Sequence, residues 1–99
     1  MTDWRLREGV LLTHIHGVSL LVADKKARKY CRFASRVNET GAFFWRQLSE
    51  GRHREEILAA MHREYEIPEG ADPGEDLDQF LRSLVDNHYI VSEADENEV

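Results

Sequence analysis

The sequence predicts an α+β domain, with a three-stranded antiparallel sheet first and three helices after it. Three observations carry that prediction. Residues 9–37 are rich in β-formers with little helical period, and from Arg28 onward they alternate with period two. At Asn38 the period becomes that of a helix. Further on, Leu77, Phe80, Leu81 and Leu84 fall at i, i+3, i+4 and i+7 of one helical face.

The first strand is expected over Val10-Leu11-Leu12-Thr13-His14-Ile15-His16 and the second over Val18-Ser19-Leu20-Leu21-Val22-Ala23. Gly17 between them suits a tight reversal, where a missing Cβ permits positive φ. Asp24-Lys25-Lys26-Ala27 reads as a polar turn, and the third strand is expected from Arg28 to Val37. Its alternation sends Cys31, Phe33, Ser35 and Val37 inward and Tyr30, Arg32, Ala34 and Arg36 outward. Outward charges of this kind suit a sheet edge, where they discourage aggregation.

Asn38 is a good helix N-cap, because its side chain can accept from the free N–H groups of the first turn. The first helix is expected over about Glu39 to Ser49, burying Phe44, Trp45 and Leu48, with Gly51 at its exit. The second covers about Arg54 to Tyr65 on an Ile57, Leu58, Met61 and Tyr65 stripe, with Glu55 and Glu56 favoring the dipole of its first turn. Residues 66–74, with Pro68, Gly70, Pro73 and Gly74, read as a loop, and the third helix as about Glu75 to Asn87. Tyr89-Ile90-Val91 is expected to pack back on the core. Residues 1–91 then form one folded domain, and 92–99 an acidic disordered tail.

Composition limits the function. At 99 residues, 41% hydrophobic and 32% charged, the chain suits one folded domain. No apolar run approaches the roughly 20 residues of a membrane helix. The start, Met1-Thr2-Asp3-Trp4-Arg5, lacks the order of a secretory signal, and a lone cysteine favors a reducing cytoplasm. The net charge of −6, from 19 acidic and 13 basic residues, argues against nucleic acid as partner.

No catalytic or metal constellation assembles. His14 and His16 lie on one side of the expected strand, but two imidazoles make half a zinc shell and Cys31 has no CxxC partner. His53, His62 and His88 are scattered. Cys31 alternates with Phe33 on the inward side, which favors a buried thiol. No glycine-rich phosphate loop is present. No cofactor is expected, and the chain reads as a binding domain rather than an enzyme.

The segment Val37-Asn38-Glu39-Thr40-Gly41-Ala42-Phe43-Phe44-Trp45-Arg46-Gln47-Leu48 resembles the strand exit and first helix of the PqqD-like family, the RiPP recognition elements. Glu55-Glu56-Ile57 with Tyr65, Asp76-Leu77-Asp78-Gln79-Phe80-Leu81 with Leu84, and His88-Tyr89-Ile90 extend the resemblance over about residues 9–91. The family usually has Leu where Val37 stands and a Thr-like cap where His53 stands. The resemblance implies a winged-helix-like fold and a non-catalytic role. Such a domain binds the leader of a ribosomally made precursor peptide and presents it to a modifying enzyme, often a radical SAM enzyme. It also implies that the leader adds antiparallel to the third strand, in the groove against the third helix. Carried over by position, the site is Tyr30, Cys31, Arg32, Phe33, Ala34 and Ser35 on the strand with Gln79, Phe80, Arg82, Ser83 and Asn87 on the helix. An edge strand supports that mode physically, since an extended peptide can satisfy its unpaired backbone groups. Basic residues on the strand and acidic ones on the helix would orient a mixed-charge peptide.

Two other functions compete. A winged-helix DNA-binding regulator could use the same layers, but helix-turn-helix units join their helices by about 3–4 residues, and here a much longer Pro/Gly loop intervenes. The third helix would also meet phosphates with Glu75, Asp76, Asp78 and Asp86 against Arg82. A different protein–protein adaptor, or a homodimer, could use the same strand edge.

Overall fold

The structure, a computed structural model, describes residues 4–92. Its elements are β1 (Trp4–Leu6), β2 (Val10–Ile15), β3 (Val18–Ala23), β4 (Ala34–Val37), α1 (Glu39–Ser49), α2 (Arg54–Glu64), α3 (Pro73–Asp86) and β5 (Ile90–Ser92). Strands β2, β3 and β4 form an antiparallel sheet in that order, so β3 is central. The expected α+β, winged-helix-like arrangement of this sheet followed by three helices is the one observed. Of the acidic tail expected over 92–99, Ser92 closes β5 and the remainder lies outside the described residues, as do Met1–Asp3. No described helix is long and apolar enough to cross a membrane.

The β2–β3 hairpin turns on two residues, His16 and Gly17, with φ of 50° and 78°. Positive φ at both central positions is the geometry of a type I′ turn, whose twist matches the flanking strands. This corrects the expectation that His16 continues the strand beside His14. His16 occupies the turn, and the His14 ring bonds the Ser19 hydroxyl at 3.0 Å.

The third strand is shorter than its alternation suggests. Residues Ala27–Lys29 form a 3₁₀ turn instead, because the Asp24 carboxylate accepts the Ala27 N–H at 2.8 Å. The N–H groups of Tyr30 and Cys31 then return to the Ala27 carbonyl at 2.9 and 3.1 Å. Those local bonds consume donors that a strand ladder would need. Phe33 is accordingly not inward: it is 54% exposed, under the Arg28 guanidinium at 4.3 Å from the ring centroid.

Helix α1 begins as expected. Asn38 is extended, and its Oδ1 accepts the Gly41 N–H at 2.7 Å. At the start of α2 the His53 N–H donates to Glu56 Oε1 at 2.9 Å, the carboxylate half of a capping box. Helix α3 starts two residues before its expected position. Asp72 caps it by accepting the Glu75 N–H, and Pro73 and Gly74, expected in the loop, form its first turn. Proline fits there because the first helical N–H has no partner to lose.

The end of α3 is a Schellman motif on His88, whose φ is 62°. The His88 N–H bonds the Val85 carbonyl, and the Tyr89 N–H bonds the Leu84 carbonyl at 2.8 Å. This reversal sends the chain into β5, which pairs antiparallel with β1 through Trp4–Ser92, Arg5–Val91 and Leu6–Ile90. The sequence reading assigned no strand to either segment.

The core has two halves that meet on α1. On the sheet side, Trp45 packs with Leu21, Ala23, Leu84, Tyr89 and Ile90. On the helix side, Phe43 and Phe44 pack with Ile57, Ala60, Met61 and Leu77. Leu48, Phe80 and Leu81 touch both halves. Tyr65, expected in the α2 stripe, caps the helix and lies edge-to-face on Phe43 at 5.2 Å.

Candidate functional site

Strand β4 has one neighbor, β3, and its other edge is open among the described residues. The register pairs Ser19 with Val37, Leu21 with Ser35, and Val22 with Ala34. One step beyond, the Ala23 N–H donates to the Phe33 carbonyl at 2.8 Å. Antiparallel pairs alternate between hydrogen-bonded and non-bonded positions. Phe33, Ser35 and Val37 therefore direct their backbone groups at β3, while Ala34 and Arg36 direct theirs away from it.

Arg32 shares the outward phase, and two contacts show what lies opposite. Its N–H donates to the Asn87 carbonyl at the end of α3, at 3.2 Å. Its Nε donates to the Ala34 carbonyl, also at 3.2 Å. The open edge thus looks toward α3, and the side chain of Arg32 occupies one of its outward acceptors.

The opposite wall comes from α1 and α3. Gly41 lets α3 approach, since a Cβ there would stand 3.1 Å from Phe80 Cε1 and 3.2 Å from Asn38 Oδ1. Beside this contact is a depression of about 320 Å³ lined by Asn38, Thr40, Gly41, Phe44, Asp76, Gln79 and Phe80. Phe80 stacks obliquely on Phe44 at 5.8 Å. The wall therefore offers an aromatic floor with polar groups at its rim, a lining that can receive a side chain.

The residues carried over by position divide into three groups. Ala34 and Ser35 lie in β4; Gln79, Phe80, Arg82 and Ser83 lie in α3, and Asn87 is its C-cap. Of these, Gln79 and Phe80 line the depression, while Arg82 and Ser83 are exposed. Ser35 points inward, and its hydroxyl bonds the Tyr89 hydroxyl at 2.8 Å. That bond ties β4 to the segment after α3. Tyr30, Cys31, Arg32 and Phe33 precede the strand. Tyr30 is 62% exposed and lies under the Arg7 guanidinium at 5.1 Å. Cys31 is buried, its Sγ donating to the Ala27 carbonyl; burial pushes its thiol up from the ordinary 9.0, more than Arg7 pulls it down. A thiol held protonated is a poor nucleophile.

Position-by-position transfer missed Arg36, whose backbone phase matches that of Ala34, and Thr40 and Asp76 on the far wall. The alternation of residues 34–37 already placed Arg36 outward. The wall residues depend on the α1–α3 approach at Gly41, which no local pattern reveals.

Comparison with known proteins assigns the family. The family model described as PqqD, coenzyme PQQ synthesis protein D, matches residues 32–90. No curated protein matches. A solved structure titled TbiB1 in complex with the TbiA(beta) leader peptide is 25% identical, covering 87% of this chain and 93% of its own, with a TM-score of 0.64. A second, lasso peptide synthetase B1 complexed with the leader peptide, shares the fold at 19% identity and a TM-score of 0.69, covering 89% of this chain and 96% of its own. With the family match running from the approach to β4 through the first residue of β5, more than half of the sequence, the chain belongs to the PqqD family.

Proposed function

We propose that this protein binds the leader segment of a ribosomally synthesised precursor peptide and presents it to a separate modifying enzyme. The observation that carries this reading is the open β4 edge, with the outward backbone of Ala34 and Arg36 facing the wall of α3. An extended peptide would add there antiparallel to β4. It would take main-chain bonds from Ala34 and Arg36 and place a side chain in the depression beside Phe80. Two structural neighbors seen with leader peptides support the same use of the fold. The protein itself performs no chemistry in this reading, and it serves a separate modifying enzyme, which for the family it resembles is often of the radical SAM class.

A duplex-DNA function is the poorer fit. Eight residues separate α2 from α3, and Glu75, Asp76 and Asp78 sit in the first half of α3. Phosphates would be repelled there.

The test is an NMR titration of the full chain with the leader of its cognate precursor peptide. Amide shifts are expected at residues 34–36 and along 76–87. A leader that binds without moving those signals overturns strand addition, and one that does not bind overturns the recognition role.

A further inference from the structure

We propose that the basic cavity beyond the Ala34 end of β4 is a subsite for acidic side chains of the bound peptide. These carboxylates would lie C-terminal to the segment paired with β4. The inference rests on strand addition as proposed above and adds the chemistry and polarity of what is added.

The chain carries a net charge of −6, yet its charges are segregated. Arg7, Lys25, Lys26, Arg28, Lys29 and Arg32 all precede β4. An open cavity of about 740 Å³ lies among them, lined by Arg5, Arg7, Lys25, Lys26 and Tyr30 together with Glu8 and Asp24. Asp24 is already engaged, since its Oδ1 accepts the Ala27 N–H at 2.8 Å. Arg7 spends its Nε on the His88 carbonyl, a neutral group, and holds its guanidinium over Tyr30. Among the described residues, neither ion pair involves Arg7, Lys25 or Lys26. Arg7, Lys25 and Lys26 therefore outnumber Glu8, the lining carboxylate that Ala27 does not engage.

At the other end of the groove, the helical wall carries carboxylates, although Arg36 and Arg46 lie near Glu39. Asp76 lines the depression near Phe80, and Glu39 and Glu75 sit in the first turns of α1 and α3. A peptide antiparallel to β4 runs from the Val37 end toward the Ala34 end. Its N-terminal side meets the carboxylates and its C-terminal side leaves toward the cavity. Charge complementarity then fixes direction as well as location.

Three synthetic peptides test this against the full chain by calorimetry at low ionic strength. Each has an alternating Thr/Val hexapeptide followed by three Glu, three Gln or three Lys. The Glu peptide should bind about tenfold tighter than the Lys peptide, with the gap closing in 0.5 M salt because surface charges are screened. K25Q/K26Q should shrink that gap below about threefold while leaving the Gln peptide unchanged, as expected when only exposed rim charges are removed. Binding of all three peptides with equal affinity, while Ala34 and Arg36 amides shift, overturns the subsite and leaves strand addition standing. Peptides that never shift those amides overturn strand addition itself. A peptide with its Glu residues moved to the N-terminal side should lose the advantage, and equal binding would reduce the effect to undirected attraction. Two further results would reassign the cavity and overturn the proposal. One is tighter binding of a single-stranded DNA 12-mer than of the Glu peptide. The other is tenfold tightening of the Glu peptide on neutralising Glu93, Asp95, Glu96 and Glu98, which would make the chain's own carboxylates the occupant.

Discussion

Proline substitution along β4 separates the backbone that holds the sheet from the backbone offered to a peptide. Arg36 directs its N–H away from β3, whereas Ser35 directs its N–H at Leu21. Arg36→Pro therefore removes a donor the sheet does not use, and edge strands tolerate proline on that side. Its stability cost should stay within about 1 kcal/mol, a fall of about 4–8 °C in Tm for a domain of this size. Ser35→Pro removes a ladder bond and leaves the buried Tyr89 hydroxyl without its partner at 2.8 Å. At about 1 kcal/mol for the ladder bond and about 1–3 for the stranded hydroxyl, the loss is about 2–4 kcal/mol. Thermal unfolding should show a drop of about 10–25 °C. Leader binding should respond in the reverse sense. Arg36→Pro costs the peptide one hydrogen bond and leaves a peptide carbonyl unpaired, about 2 kcal/mol or roughly thirtyfold in Kd. Arg36→Ala, which keeps the N–H, is the control for the lost charge. If Arg36→Pro binds as well as Arg36→Ala, strand addition at β4 is wrong. If it unfolds as readily as Ser35→Pro, the assigned backbone phase is wrong.

Other positions give sharper tests of the scaffold. Asn38→Ala should lower stability by about 1 kcal/mol through loss of the Gly41 cap, and Asn38→Asp should restore most of it in the same thermal melt. Gly17→Ala should cost about 1–2 kcal/mol in urea unfolding purely through its positive φ, because nothing lies within 4 Å of the added methyl. Burial raises Tyr89 above its ordinary 10.0 and Cys31 above its ordinary 9.0. Both groups are held protonated in the fold, so their contribution is complete below those ordinary values and is lost as pH climbs through the raised ones. The urea midpoint should thus fall as the pH climbs above those ordinary values, and Tyr89→Phe with Cys31→Ala should flatten that fall. In hydrogen exchange, the Ser35 and Val37 amides should be protected and those of Ala34 and Arg36 fast, becoming slow when the leader is added.

Features with a local cause were legible in the sequence. The start of α1 follows from one side chain, Asn38, and the buried face of α3 from its spacing of Leu77, Phe80, Leu81 and Leu84. The hairpin turn was marked by Gly17. What escaped has non-local or competing causes. Residues 28–33 alternate in type like a strand, but the Asp24 carboxylate and the Ala27 carbonyl claim their neighborhood first. Strands β1 and β5 have three residues each, too few to show a period, and are defined by pairing across almost the whole chain. The end of α3 lacked its usual glycine signal because His88 takes the left-handed position. At the candidate site, sequence gave the strand and the helix but not the phase of the edge, which only the register with β3 decides.

The register also explains how an open edge is kept from pairing indiscriminately. Of the outward groups before and within β4, the Arg32 N–H is held by Asn87 and the Ala34 carbonyl by Arg32 itself. The first bond anchors the approach to β4 on the Schellman turn of α3, so the strand and its facing wall are fixed to each other at that end. The second is made by an exposed, flexible side chain and is exchangeable at about 0.5–1.5 kcal/mol. A peptide added to the edge as proposed would replace that guanidinium with its own N–H and free the Arg32 cation beside the basic cavity. Such displacement would leave the number of bonds to the Ala34 carbonyl unchanged and free an existing positive charge to pair where the peptide's C-terminal side emerges. An acidic partner would gain from the exchange, and a neutral strand would not. The same arginine that blunts the edge against neutral strands would thus favor a peptide of the proposed acidic character.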